Sequence, residues 1–276
     1  MSEKPVLWNC DERGVGRVIL NRPSVNNAYD GALIEGLHDA MDDLASNKRL
    51  RAVVVSGAGR SFMAGADLKW LNGVRKGSPA DNDRASRRTA EAVDRFNRLG
   101  VPTLALVQGF CVGGATGLVA AADVAIASED AKFAISEVRW GLTAAIIIPQ
   151  LNDAIGARQV RRYALTGERF DAAEARRIGL VHEVVSAPQL VAKGETIIAA
   201  FLENGPQAIA ETKACTLEHA FGKVGGGVMA GLIAQHSQKP APALAEARFY
   251  KGFEMLQRCA WSGLNHRIKQ FAIVFP

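Results

Sequence analysis

The chain has 276 residues, of which 48% are hydrophobic and 22% charged, and its formal net charge at pH 7 is +5. This composition is typical of a globular protein with a sizeable core, and it excludes a long disordered chain and a small disulfide-stapled scaffold. Basic and acidic residues are interspersed along the sequence, which favours a mixed-charge surface over a nucleic-acid-binding stripe. We therefore expect no nucleic-acid partner.

Membrane, disulfide and metal signals are missing from the sequence. No apolar run approaches the roughly 18 residues that a membrane span needs, and the N-terminal residues carry no signal-peptide pattern. The four cysteines are scattered without a close pair, and the five histidines do not have the spacing of metal ligands. These features predict a cytosolic protein with no membrane segment, disulfide framework or metal site.

The N-terminal third of the chain predicts strands and helices in alternation. Two short apolar runs flank a polar turn and predict a hairpin. An apolar face at helical spacing then predicts an amphipathic helix capped by Asn26 or Asn27, and a continuous apolar run predicts a strand covered on both faces. The polar segment 73–84 predicts a mobile surface loop. The predicted strands cover 6–10, 15–20 and 52–55, and the predicted helix covers 33–44.

The alternation continues after this loop. A glycine cluster at Gly113 and Gly114 follows a predicted buried strand and begins a small-residue helix that ends at Ala122. From Gly156 the chain is mostly helical in pattern. The other predicted elements are a helix at 87–99, strands at 103–107, 124–127 and 182–185, and helices at 190–203, 207–220 and 244–256.

Two loops of small residues are candidates for binding a negative oxygen. Residues 62–69 follow a predicted strand, and their small side chains leave backbone N–H groups accessible. Gly113 and Gly114 stand at a helix start, where unpaired N–H groups and the helix dipole favour negative charge. Together the loops predict an oxyanion hole, although each loop alone is more typical of a tight turn or of close helix packing.

Glu137 is the candidate for proton transfer. Apolar residues surround it in the sequence, and partial burial would raise the pKa of its carboxyl towards the useful range. The alternative is a surface carboxylate paired with Arg139. Asp67 is open to two interpretations, a helix cap or a substrate contact, and Trp70 and Trp140 are interpreted as packing residues.

A set of motifs in a fixed order extends this interpretation. The motifs are Asn21-Arg22-Pro23, Asn27-Ala28, residues 62–69, residues 109–122 followed by Asp123, residues 133–142, Leu165-Thr166-Gly167-Glu168 and residues 172–185. In order and spacing they resemble the enoyl-CoA hydratase/isomerase (crotonase) family over about residues 6–220. The resemblance implies an α/β fold, a spiral of ββα units with a helical C-terminal region, which binds acyl-CoA and stabilises its thioester enolate. It also implies a core with the active site at 1–200 and a helical region at 201–276 that assembles homotrimers or dimers of trimers.

The resemblance also assigns roles to individual residues. Ala66 and Gly114 match the two backbone N–H donors of the oxyanion hole, and Glu137 matches the second of the family's two catalytic glutamates. The position of the first glutamate is Gly117, which has no side chain. No cofactor is implied beyond the CoA moiety of the acyl-CoA thioester substrate. The residues that match positions bordering the CoA are Ala64, Ala66, Asp67, Leu68, Lys69 and Gly114.

Hydration is the leading functional prediction. Relatives similar to the methylglutaconyl-type hydratases also lack the first glutamate, and the apolar residues 146–148 predict a bulky acyl pocket. The expected substrate is therefore a branched or substituted 2-enoyl-CoA. Two alternatives stay open: a Δ3,Δ2-enoyl-CoA isomerase, whose proton shift needs a single shuttling base, and a non-catalytic relative that binds acyl-CoA or RNA.

Overall fold

The computed structural model describes residues 4–217. The amphipathic helix predicted at 244–256 lies outside the described residues, as does most of the helical region predicted at 201–276. Every helix between residues 4 and 217 is too short or too polar to cross a membrane.

The described residues form nine strands and eight α-helices. The strands are β1 Val6–Cys10, β2 Val15–Leu20, β3 Ala52–Gly57, β4 Thr103–Val107, β5 Phe110–Val112, β6 Val124–Ser128, β7 Lys132–Ala134, β8 Arg169–Asp171 and β9 Glu183–Val185. The helices are α1 Gly31–Ser46, α2 Leu68–Lys76, α3 Pro79–Asn97, α4 Gly114–Ala120, α5 Ile148–Thr166, α6 Ala172–Ile178, α7 Leu190–Glu203 and α8 Pro206–Leu217.

Six strands form the larger sheet, in the order β1-β2-β3-β4-β6-β9. β1 and β2 make the predicted antiparallel hairpin, and the other neighbours are parallel. Alternate residues of β3 pack on opposite sides: Val53 and Val55 join a cluster with α1, whereas Val54 joins a cluster with α7. This burial on both faces explains the continuous apolar runs in the sequence.

A smaller sheet stands beside the larger one, in the order β5-β7-β8. The strands β4 and β6 each lie in the larger sheet and are each followed by a strand of the smaller sheet and then a helix, which makes a ββα unit. A bridge between Met63 and Cys111 brings the segment after β3 to the same smaller sheet. The predicted α/β fold, a crotonase-like spiral of ββα units, is confirmed.

The N-cap predicted for α1 was wrong. Asp30 caps this helix, because its side chain accepts a hydrogen bond from the Leu33 N–H at 2.9 Å. Asn26 and Asn27 instead adopt left-handed backbone angles. The buried Asn27 amide donates to the carbonyl oxygen of Ser61 at 2.8 Å, so this asparagine holds a turn together rather than starting a helix.

The prediction of a mobile loop at 73–84 was also wrong, since most of this segment is helical. α2 continues to Lys76 and α3 begins at Pro79, well before the predicted start at 87. Ser78 and Asp81 form a capping box in which each side chain bonds the other residue's backbone N–H. Serine followed by proline is therefore a helix start here, although the same residues are also typical of turns.

Candidate active site

A cleft of about 380 Å³ contains most of the predicted site residues. Its walls come from the segment after β3, the junction of β5 with α4, the residues after β7, and the start of β8. The predicted site residues among its lining are Ala64, Ala66, Leu68, Gly114 and Glu137. The cleft therefore brings together both small-residue loops and the candidate acid.

Backbone hydrogen bonds align the two small-residue loops. The Met63 N–H donates to the Phe110 carbonyl at 2.9 Å, and the Val112 N–H donates to the Met63 carbonyl at 3.0 Å. Gly65 follows with a positive φ, and a Cβ there would lie 3.1 Å from the Val112 carbonyl oxygen. This close approach favours glycine and brings the loop alongside the start of α4.

The two predicted amide donors are available in the cleft. Tyr29 bonds the residues on either side of Ala66, with its N–H donating to Gly65 and its carbonyl accepting from Asp67, both at 2.8 Å. The Ala66 N–H has no acceptor within residues 4–217. Gly114 is the first residue of α4, so its N–H also lacks an intrahelical acceptor. Both amides are thus unpaired within residues 4–217 and belong to residues that line the cleft.

Glu137 begins a short 3-10 helix, Glu137–Trp140, and its side chain points towards the glycines. Its Oε1 lies 3.2 Å from the point that a Cβ on Gly113 would occupy. Its Oε2 is buried and has no hydrogen-bond donor in the described structure. Burial raises the pKa of this carboxyl. The alternative interpretation, a surface carboxylate paired with Arg139, was wrong, because no ion pair joins them in the described chain.

Sequence reasoning missed Tyr29 as a site residue. Its ring contacts Gly114: a Cβ on that glycine would lie 2.9 Å from Cε1 and 3.2 Å from the hydroxyl oxygen. Trp70 packs against this ring in a T-shaped contact with centroids 5.8 Å apart, which agrees with the packing role predicted for that tryptophan. The position directly after the Asn27-Ala28 motif could have indicated Tyr29, but the motif gives no direction for its side chain.

Ile147 occupies the space that a side chain at position 117, where the resemblance puts the first glutamate, would need. A Cβ on Gly117 would overlap the Ile147 side chain and would lie 2.5 Å from its Cβ. Ile147, Leu118 and Tyr29 line a small apolar cavity of about 20 Å³ beside the cleft. Of the three isoleucines at 146–148, Ile147 alone lines either of these two cavities, and the bulky acyl pocket predicted from them stays a prediction.

Two residues predicted to border the CoA lie outside the lining of the cleft. The Asp67 carboxylate caps α2 by accepting from the Lys69 N–H at 2.9 Å, and it pairs with Arg22 at 3.0 Å. Of the two interpretations of Asp67, the structure therefore supports the helix cap. The Lys69 side chain is exposed at the surface.

Trp140 is a cleft residue and not a packing residue, so its predicted role was wrong. Its side chain is 52% exposed and lines the cleft together with Arg139 and Arg169. Arg139 lies against Gly167, since a Cβ there would be 3.0 Å from its Nε. Exposed aromatic and basic side chains thus form the wall next to Glu137.

Comparison with known proteins identifies the family. A sequence profile described as Enoyl-CoA hydratase/isomerase matches residues 11–224. The chain belongs to the enoyl-CoA hydratase/isomerase family. Within residues 4–217 of this family member, no group of three metal-ligating side chains is present.

Relatives of this hydratase/isomerase chain include both reaction types. It is 31% identical over 205 residues to the hydroxycinnamoyl-CoA hydratase-lyase of Pseudomonas fluorescens, and this match covers 73% of this chain and 74% of the relative. It is 31% identical over 223 residues to the peroxisomal Delta(3,5)-Delta(2,4)-dienoyl-CoA isomerase of Arabidopsis thaliana, covering 77% and 80%. The crystal structure of an enoyl-CoA hydratase from Mycobacterium smegmatis matches with a TM-score of 0.82 and 29% identity, covering 91% of this chain and 97% of that one. The protein is an acyl-CoA-processing enzyme of this family.

Proposed function

We propose that this enzyme hydrates a branched or substituted 2-enoyl-CoA. The observation that carries the proposal is the placement of the Glu137 carboxyl across Gly113, in the same cleft as the free amides of Ala66 and Gly114. An acid beside an oxyanion hole is the arrangement that enolate chemistry on a thioester needs. The proposed reaction needs no cofactor beyond the CoA moiety of the substrate. We also propose that the enzyme is cytosolic.

Each group then has a defined step. The Ala66 and Gly114 amides donate to the thioester oxygen, and they stabilise the negative charge that develops as water adds to the β-carbon. Glu137 accepts one proton from that water and delivers it to the α-carbon, so the substrate gains one water and Glu137 returns to its carboxylate form. Loss of one amide donor would lower the rate on the order of 10²- to 10³-fold.

A panel of enoyl-CoA thioesters tests this proposal by mass spectrometry. The expected result is a product heavier by one water for at least one branched or substituted substrate, and its loss in Glu137→Gln. If the purified wild-type protein adds water to none of the panel, hydration is rejected.

Isomerisation is the second candidate, because Ile147 fills the space in which a second acid would stand. A 1,3-proton shift needs one base that removes a proton and returns it two carbons away. This function predicts an unchanged substrate mass and a new conjugated-thioester absorbance with 3-enoyl-CoA substrates. Absence of that absorbance with every 3-enoyl-CoA counts against it.

A non-catalytic relative is the third candidate, since a family site with one carboxylate could bind without turning over. Calorimetry with CoA thioesters and filter binding with RNA measure this directly. Binding without turnover of any thioester would replace the enzymatic proposal, whereas turnover that is abolished by Glu137→Gln would exclude binding as the main role.

A further inference from the structure

Two polar side chains flank the Gly113–Gly114 peptide, whose Gly114 N–H is one of the two amide donors. The Glu137 Oε1 lies 3.2 Å from the Cβ position of Gly113, and the Tyr29 hydroxyl oxygen lies 3.2 Å from the Cβ position of Gly114. Glu137 and Tyr29 both line the cleft. The carboxyl and the hydroxyl therefore belong to the same cleft and lie next to neighbouring glycines.

Each group has one oxygen without a hydrogen-bond partner within the described chain. The Glu137 Oε2 is buried and receives no hydrogen bond, and the Tyr29 hydroxyl neither donates to nor accepts from any residue between 4 and 217. A buried acceptor without a donor is unfavourable, and most such atoms in proteins bind water or a ligand. One polar molecule between the two groups would satisfy both of them.

The Tyr29 side chain is fixed in place. Its backbone is bonded to Gly65 and Asp67 on either side of Ala66, and its ring packs against Trp70. Burial, together with the nearby Glu137 carboxylate, raises the pKa of the phenol, so the hydroxyl stays protonated. Tyr29 is thus a hydrogen-bonding group and not a base.

We propose that the Tyr29 hydroxyl holds the attacking water opposite Glu137, and so supplies the second polar contact that Gly117 cannot supply. The inference rests on hydration as the proposed function. The water gives one hydrogen to Glu137 and donates the other to the Tyr29 oxygen, which directs its lone pair at the β-carbon. The O–H bond to the first hydrogen breaks, the C–O bond forms, and Glu137 transfers that proton to the α-carbon. Tyr29 exchanges no proton.

The substitution Tyr29→Phe tests this role with two assays. The first is hydration of the best enoyl-CoA, and the second is exchange of α-hydrogens of a saturated acyl-CoA in D₂O, which needs Glu137 and the amides but no attacking water. We expect hydration kcat to fall by about 10²-fold while KM and the exchange rate stay within about threefold of wild type. The matched control is Tyr163→Phe, which removes a hydroxyl that bonds Glu174 and lies outside the cleft lining. It should leave both rates unchanged.

The outcomes separate the inference from the function on which it rests. A Tyr29→Phe variant that hydrates at the wild-type rate overturns the role of Tyr29 while hydration stands. Equal loss of hydration and exchange also overturns it, because Tyr29 then acts by positioning the Gly114 amide. If the wild-type enzyme exchanges α-hydrogens but hydrates no substrate, the proposed function fails, and this inference fails with it.

Discussion

Burial of Glu137 makes stability and activity oppose each other at a single residue. Its pKa is raised in the folded chain, so the unfolded chain releases this proton at a lower pH than the folded chain does. The stability contributed by the protonated group is therefore lost as pH rises from the unfolded-state pKa through the folded-state pKa. Burial thus disfavours the carboxylate form that the proposed reaction uses.

Substitution Glu137→Gln should thus raise the melting temperature at pH 7 while abolishing turnover. The gain should vanish below about pH 4, where the carboxyl is protonated in both states. Thermal unfolding followed by circular dichroism across this pH range measures it. A gain of the same size at every pH would show that desolvation of the charge is not its cause.

Gly117 is a second residue with a specific steric role. A Cβ there would lie 2.5 Å from the Ile147 Cβ and 3.4 Å from its Cα, so the two segments themselves are in close contact. We expect Gly117→Ala to lower the free energy of unfolding by about 1–3 kcal/mol through overpacking, as measured by urea denaturation.

The matched control is Gly73→Ala, in α2, where a Cβ would meet nothing within 4 Å. It should leave stability unchanged or raise it by up to about 1 kcal/mol, because alanine favours a helix over glycine. If the two alanine variants change the free energy of unfolding equally, the Ile147 segment moves aside without a cost in stability.

The sequence predicted single site residues unevenly. Local chemistry indicated Glu137 and the two small-residue loops, since an acid among apolar residues and small residues next to a strand or helix end are visible in one dimension. The choice of Ala66 and Gly114 within those loops came from the family resemblance. Tyr29 was missed, as was the contact between Ile147 and Gly117, because both depend on packing against glycines far away along the chain. Trp140 was misassigned because tryptophan is usually buried, and its exposure follows from a short 3-10 turn.

At the scale of elements, a partly buried ion pair attaches α8 to the strand region. Lys213 is 7% exposed, and its Nζ lies 2.7 Å from the Asp123 carboxylate and 3.1 Å from the Val101 carbonyl. The same carboxylate oxygen accepts from the N–H of Thr103, the first residue of β4, at 2.7 Å. Burial lowers the pKa of Lys213, and the Asp123 charge opposes that effect. Asp123 thus joins a helix to a strand.

Substitution Asp123→Asn should lower the free energy of unfolding by about 3 kcal/mol, because it leaves a buried cation without its counter-charge. Denaturant unfolding measures this, and adding Lys213→Met should recover part of the loss. The control is Asp94→Asn, which breaks an exposed pair with Arg98 and should cost at most about 0.5 kcal/mol. If both asparagine variants are equally stable, the pair does not hold α8.

Elements with a continuous apolar run or a strong helical periodicity were predicted well, and element boundaries set by residues that are typical of both turns and helices were not. The buried strands β3 and β4 and the helix α7 were predicted within two residues of their observed bounds. The start of α3 failed because serine and proline begin both turns and helices. The predicted N-cap of α1 was wrong because the Asn27 side chain hydrogen-bonds the distant Ser61 carbonyl, and no local sequence pattern indicates that contact.

For the whole molecule, the family resemblance predicts a homotrimer or a dimer of trimers. Multi-angle light scattering should give three or six times the 29.5 kDa mass of the chain, independent of loading concentration. A mass equal to one chain at all concentrations would reject this assembly. The fold class was predictable because the order of the motifs constrains the whole chain, whereas the bulk of the acyl pocket depends on how separate segments pack.

The contact between Gly117 and Ile147 also limits how such an enzyme could evolve. Acquiring an acid at position 117 would require a neighbouring backbone to retreat, so the first substitution on that route would lose stability before any catalytic gain. The packing of Ile147 against α4 thus favours retention of a cleft whose lining within residues 4–217 has a single acidic side chain.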